Sequence, residues 1–417
     1  MKHIVVIGGG IVGLTTAWSL VERGHRVSLV EREAEVAQGA SHANGGQLSY
    51  RYVSPLADAG VPIKALRWLL DPDGPLRFKP EAHWQQWSWM LDFLRACSGP
   101  ANRRTTARLL ALGAHSQTAF AKLHREAALG DISYRAPGKL VVYRKPAEFE
   151  RVSRRLKSGI QGPEQALSHD ECVAIEPSLQ DNDLLFAGGI FTEGEAVADC
   201  REVCLQLADR LLGHGNFAGF HRAQAKGFRL EGRRAVALAT DRGDELSADG
   251  FVIAAGLQSR ELAAKLGLAL PLYPLKGYSL TAPIESAHRP PEVSVTDFER
   301  KILYARIGSQ LRVAAMVDLV GVDLSLDPKR VDSLKRAVRD TFPQAADYGR
   351  ASTWTGLRPA TPSGAPILGA TPFEGLWLNV GHGALGFTFS FGAADILAEL
   401  ISGRESPLPL DGLQFAQ

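Results

Sequence analysis

The glycines at the head of the chain constrain its fold more than any other feature. Gly8, Gly10 and Gly13 form GxGxxG directly after the apolar run Ile4-Val5-Val6-Ile7 and open a helical pattern from about Ile11 to Arg23. Gly8 permits a tight turn, Gly10 lets the backbone approach a pyrophosphate, and Gly13 lets the helix lie close to the strand. The helix N-terminus then faces the phosphate charge. A second apolar run, 26–30, ends at Glu31, whose carboxylate accepts from ribose hydroxyls and repels a 2′-phosphate. The spacing predicts a βαβ unit holding a dinucleotide other than NADP, with Gly9, Ile11, Val12 and Arg32 in the same cradle. The motif alone does not separate NAD from FAD.

Composition excludes other classes. The chain has 417 residues, 45% hydrophobic and 22% charged, and a net charge of +2 with no Lys/Arg run, so nucleic acid is not an expected partner. Cys97, Cys172, Cys200 and Cys204 contain no CxxC pair, which predicts reduced structural thiols, no metal site and a cytoplasmic protein. The apolar start breaks at Gly8-Gly9-Gly10 and reads as a strand, not a signal peptide. The longest apolar runs are interrupted by Arg, Asp or Gly, so no transmembrane helix is expected.

Along the chain, apolar strand patterns with glycine turns alternate with a different composition. After Asn44-Gly45-Gly46 come several prolines among Trp, Leu and Arg, then a helical region from about 81 to 127 and a strand at 139–143. A helix at 199–212, strands within 217–239 and the buried strand 250–256 follow, then strands at 272–282, 302–307 and 310–317. Residues 375–402 return to strand, glycine turn and helix. The expected fold is α/β: a Rossmann-like dinucleotide domain (1–48, 180–268 and 352–417) with a discontinuous mixed-sheet α+β substrate domain (49–179 and 269–351). Ala225, Ala255 and Gly256 are expected at strand ends that meet the dinucleotide.

Four further segments are distinctive: Ala40-Ser-His-Ala-Asn-Gly-Gly-Gln47, Pro274-Leu-Lys-Gly-Tyr278, Trp354-Thr-Gly-Leu-Arg-Pro359 and Gly381-His-Gly-Ala-Leu-Gly386. Together with the N-terminal fingerprint they resemble, in the same order, the D-amino acid oxidase family of FAD enzymes, and within it the dehydrogenase branch. The resemblance implies FAD as cofactor and oxidative deamination of a D-amino acid, with electrons passed to a membrane quinone or other non-oxygen acceptor. It also implies that Arg358 grips the substrate α-carboxylate, a role suited to a planar guanidinium that can pair both oxygens.

The turn 381–386 implies a flavin-facing array of backbone N–H groups, comprising Gly383, Ala384, Leu385, Gly386, Phe387 and Thr388, with Gly356 nearby. His382 is assigned to the flavin environment. Ser41, Asn44, Gly45, Gln47 and Leu48 are placed near the FAD phosphates and ring, Gln47 also beside the substrate, and Tyr278 and Tyr304 are expected to close the substrate pocket. Relatives carry Asp where this chain has Ser363, and no cysteine occurs at 352–354 to bond flavin, so FAD is expected to be non-covalent. Competing expectations are oxidation of a secondary amine such as D-proline, D-hydroxyproline or sarcosine, an NAD-dependent dehydrogenase, and a non-catalytic FAD-binding subunit.

One aromatic region has two readings. Trp84, Trp87 and Trp89 with Met90, Leu91, Phe93 and Leu94, and Ile63, Leu66, Trp68, Leu69 and Leu70, either form a surface peripheral to the inner face of the cytoplasmic membrane or pack as core.

Overall fold

The computed structural model describes every residue except 54–56, 58–59, 72, 159–161, 182–185 and 416–417. Its nucleotide half is a six-stranded sheet ordered Ile367–Ala370, Leu376–Val380, Gly250–Ile253, His3–Ile7, Arg26–Glu31, Phe217–Arg222. All neighbours are parallel except the first pair. His3–Ile7 lies inside the sheet and is covered on both sides, which is why Ile4–Ile7 is continuously apolar. Ile4 and Val6 pack with the helices Ile11–Val21, Cys200–Leu212 and Gly386–Ile401. Val5 and Ile7 pack under Ala235 and Leu238 of a small antiparallel sheet.

The other half is a nine-stranded mixed sheet. Its path runs Ser352–Ala360, Tyr273–Pro283, Gln310–Leu319, Ile302–Ile307, Ser294–Asp297, Lys139–Tyr143, Gly188–Thr192, Glu164–Ser168, with Leu76–Phe78 pairing off it. The helix Pro328–Thr341 covers one face through Leu334 and Val338, against Val295, Tyr304 and Val313. The opposite face fronts the cavity described below.

Two expected boundaries move. Gly188–Thr192 and Ser352–Ala360 were expected in the nucleotide domain but belong to the large sheet. Ser352–Ala360 pairs along its whole length with Tyr273–Pro283, from Tyr273↔Ala360 to Thr281↔Ser352. Such long-range pairing leaves no mark in local composition. The transmembrane expectation also needs qualification: Gly383–Ile401, 19 residues, is long and apolar enough to cross a membrane by length and composition, yet most of its apolar stretch is buried in the fold. It is the central helix of the nucleotide half.

Candidate active site

Between the two sheets lies a cavity of about 1680 Å³ lined from both halves. At its nucleotide end the backbone of Gly8 has φ 114°, and a Cβ there would stand 2.5 Å from the Ala254 carbonyl oxygen. A Cβ on Gly13 would stand 1.8 Å from the Gly8 oxygen, so strand and helix meet only because both residues are glycine. Glu31 closes the turn: Oε2 accepts from Gly9 N at 2.6 Å and Oε1 from Glu33 N at 2.9 Å. Ser41 Oγ accepts from Ile11 N at 3.1 Å, linking the helix entrance to the 40–47 segment.

Gly8, Gly10, Ile11, Val12, Glu31, Arg32, Ser41, Asn44, Gly45 and Gln47 line the cavity, as do Ala225, Ala255, Gly256 and Gly356. Gly9, Gly13 and Leu48 do not. The two glycines act through backbone shape. Leu48 is buried in the nucleotide-side core, so its expected cofactor contact is corrected.

The far wall carries the turn 381–386. Gly381 and Gly383 take φ of 80° and 55°, and the helix Gly386–Ile401 has no side chain capping its first N–H groups. Gly383, Ala384, Leu385, Gly386, Phe387 and Thr388 all border the cavity. Thr388 Oγ1 accepts from Ser49 N at 3.0 Å and so fixes the 47–49 segment against this turn. His382 is buried, its Nε2 has no partner among the described residues, and burial pushes its imidazole down to about 3. It is a neutral ring near pH 7 and no proton donor of ordinary strength.

Arg358 projects from Ser352–Ala360 into the cavity wall. A Cβ on Gly277 would come 2.3 Å from Arg358 Nη2, so the glycine of the 274–278 segment makes room for the guanidinium. Arg358 Nη1 donates to the Met316 carbonyl at 3.0 Å, and Met316 adopts φ 67° beside a register shift between Gln310–Leu319 and Tyr273–Pro283. Burial lowers the guanidinium's pKa, opposed by the charge of Asp318. A desolvated cation held in this way favours an anionic ligand.

One tyrosine expectation, Tyr304, is corrected. Tyr304 is fully buried on the opposite face: its hydroxyl meets Thr341 Oγ1 at 3.0 Å and its ring packs edge-on to Phe342. Leu303, next along the strand, faces the cavity instead, as strand alternation requires. Tyr278 touches the cavity wall, but it packs with Leu280 and Ala315 in that same opposite-face core. Burial, then the charge of Asp318, raises its hydroxyl's pKa.

Three residues not singled out in the sequence also border the cavity: Lys139, Tyr52 and Ser279. Lys139 is 2% exposed. Its ammonium meets Gln47 Oε1, lies 3.3 Å from Ser49 Oγ and sits 4.3 Å above the Tyr52 ring. Gln47 Nε2 in turn donates to Ser294 Oγ. The signal was a lysine heading the otherwise apolar strand Lys139-Leu-Val-Val-Tyr143, where a buried charge is unusual.

The aromatic region divides. Trp89 is core, with Nε1 donating to the Ala360 carbonyl at 2.9 Å and its ring stacked on Phe93. Trp84 is 72% exposed and Leu70 85%, and Trp87, Leu91 and Leu94 are also exposed. The side chains of Ile63 and Leu66 lie outside the described residues.

A dinucleotide cradle opening into a cavity with a half-buried arginine on its wall fits a flavoprotein oxidoreductase. The chain belongs to the family described as FAD dependent oxidoreductase, which matches residues 3–400, and FAD is its cofactor. That membership removes the NAD-dependent alternative. The chain is 48% identical over 414 residues to D-amino acid dehydrogenase 2 of Pseudomonas aeruginosa, covering 99% of this chain and 98% of that protein. It is 46% identical to D-amino acid dehydrogenase 2 of Ralstonia nicotianae, covering 96% and 97%. Among solved structures, glycine oxidase from Geobacillus kaustophilus superposes with a TM-score of 0.78 at 20% identity, covering 100% of this chain and 99% of that one, a likeness of fold.

Proposed function

We propose that this protein oxidises the carbon–nitrogen bond of a D-amino acid to an imino acid, which water hydrolyses to a 2-oxo acid and ammonia. The electrons pass to an acceptor other than oxygen. The observation that carries this reading is Arg358, half-buried over Gly277 and anchored on the Met316 carbonyl in the cavity that the dinucleotide cradle also opens into. FAD supplies the hydride acceptor for the substrate α-carbon. Arg358 holds the α-carboxylate and so fixes which substituent of that carbon faces the cofactor. The substrate amine enters the reaction neutral, its lone pair assisting loss of the hydride, so no general base is required at the α-carbon. The start of the helix Gly386–Ile401, with no side chain capping it, offers positive potential where negative charge would develop.

The relatives named D-amino acid dehydrogenase support the D configuration. Anaerobic mixing with a panel of D- and L-amino acids, D-proline and sarcosine tests it: D-amino acids should bleach the flavin. Bleaching by secondary amines alone would favour the sister activity, and no bleaching by any amine would leave a non-catalytic subunit. None of the four cysteines lines the cavity, so no cysteinyl bond to flavin is available there, and acid precipitation should leave yellow supernatant over a colourless pellet.

For the acceptor we favour a membrane quinone, met at the inner face of the cytoplasmic membrane. Exposed Leu70, Trp84 and Trp87 lie on the same two helices whose Leu69, Met90 and Leu94 border the cavity. An apolar surface there would bring lipid-dissolved quinone beside the redox site.

A further inference from the structure

Lys139 is a buried cation that the proposed reaction does not use. Its contacts, Gln47 Oε1, Ser49 Oγ and the Tyr52 face, are all neutral, and no acidic side chain forms an ion pair with it among the described residues. Glu195 is a nearby buried carboxylate, but its Oε1 accepts from Arg51 N at 2.7 Å and it does not line the cavity. Lys139 does line it.

The surrounding lobe has the same electrical bias. Val141, Tyr143 and Ile190 pack there with Tyr52 and Phe298, and Lys64 and Lys301 stand over the Phe298 ring. Lys64 and Arg151, both on the cavity lining, share a single carboxylate, Glu148. A cleft with excess positive charge and apolar walls concentrates anions.

Arg358 and Lys139 come from strands with four others between them in the sheet, Ser352–Ala360 and Lys139–Tyr143, but they reach toward each other: Arg358 donates to Met316, and the Lys139 partner Gln47 donates to Ser294, so only Ile302–Ile307 separates the two anchoring strands, roughly 10 Å at ordinary strand spacing. Met316 holds Arg358, and Ala314 lies two residues earlier on the same strand. A Cβ on Gly45 would stand 3.3 Å from the Ala314 Cβ, and two residues beyond Gly45 is Gln47, the partner of Lys139.

We propose that Lys139, with Gln47 beside it, forms a second anion subsite that takes the side-chain carboxylate of an acidic D-amino acid while Arg358 holds the α-carboxylate. The inference rests on the proposed oxidation and names its substrate class. Burial pushes the Lys139 ammonium down to about 8, opposed by Glu195, so it stays mostly charged at neutral pH and a bound carboxylate would strengthen that charge.

The holoenzyme tests this in two ways. Efficiency, kcat/KM with a soluble dye, should favour D-glutamate or D-aspartate over the corresponding amide by roughly tenfold or more, given the strength of buried charge pairing. Lys139→Met should bring that ratio to about one, whereas Lys139→Arg should keep it above one. Independently, glutarate, which has no amine to oxidise, should perturb the flavin spectrum at lower concentration than butyrate does. If Lys139→Met loses its flavin, the parent panel, the Arg variant and the glutarate comparison still decide. Equal use of acid and amide by the parent, with glutarate no better than butyrate, overturns the subsite. D-alanine turnover in that case leaves the oxidation standing. Failure of every amine to bleach the flavin sinks the oxidation itself, and the glutarate comparison still judges Lys139.

Discussion

The two halves of this molecule build their binding surfaces in different ways. On the nucleotide side the turn that meets the cofactor is contiguous: Gly8, Gly9, Gly10 and Gly13 lie within one strand–helix junction, and Glu31 closes it from the next strand. On the substrate side nothing is contiguous. Arg358 is placed by Gly277 and Met316, and Lys139 by Gln47 and Ser49, with the partners drawn from well-separated strands. A backbone-built site demands glycines at fixed spacing, while a side-chain-built site demands only that the sheet bring distant residues together. Damage to one half should therefore be separable from damage to the other.

The largest effect is expected at Arg358. Removing one partner of a buried charge pair costs about 2–5 kcal/mol, so Arg358→Ala should lower kcat/KM for a D-amino acid by roughly 30- to 5000-fold at about 1.4 kcal/mol per tenfold. Flavin content should be unchanged. Arg358→Lys should recover only part of the activity, because an ammonium lacks the guanidinium fork. Loss of flavin along with activity in Arg358→Ala would show that the halves are coupled.

The reciprocal experiment is Gly8→Ala. Its φ of 114° and the 2.5 Å approach to the Ala254 oxygen leave no room for a methyl group. Strain of this kind costs about 1–3 kcal/mol, and the expected result is a lower Tm with weaker flavin retention on dialysis. Substrate affinity in the molecules that keep flavin should change little. An unaltered Tm and flavin content would mean the turn relaxes at no cost.

A smaller effect is expected from the exposed apolar surface. Leu70→Ser with Trp84→Gln should slow reduction of membrane quinone several-fold while sparing a soluble dye, since neither side chain lines the cavity. Equal losses with both acceptors would argue against membrane contact.

The smallest is a pH effect within the nucleotide half. Burial raises the Asp395 carboxyl, but hydrogen bonds from His115 and Arg23 outweigh it and bring the group to about 2. Between its ordinary value of 3.8 and about 2 the unfolded chain binds the proton and the folded chain does not. Its stabilisation is therefore present above pH 3.8 and lost as pH falls to about 2. Urea unfolding across that range should show a shallower acid loss in Asp395→Asn. A parallel curve would remove Asp395 from the acid response.

The sequence by itself determined the parts of this protein whose function depends on backbone conformation. GxGxxG, Glu31 and the glycine turn at 381–386 were legible because only glycine allows the close approaches and the positive φ found at Gly8, Gly381 and Gly383. Arg358 was legible through its segment. The tertiary structure decided which face each strand residue takes and which distant strands meet. Tyr304 carries suitable chemistry for a pocket, yet strand alternation places Leu303 on the wall and Tyr304 in the opposite core. Residues 188–192 and 352–360 joined the large sheet because cross-strand hydrogen bonding, which leaves no local pattern, set their partners. Lys139 shows the limit most directly. In the sequence it is one lysine before an apolar run, and only the packing of the 47–52 segment against its strand makes it a buried cation at the edge of a cavity.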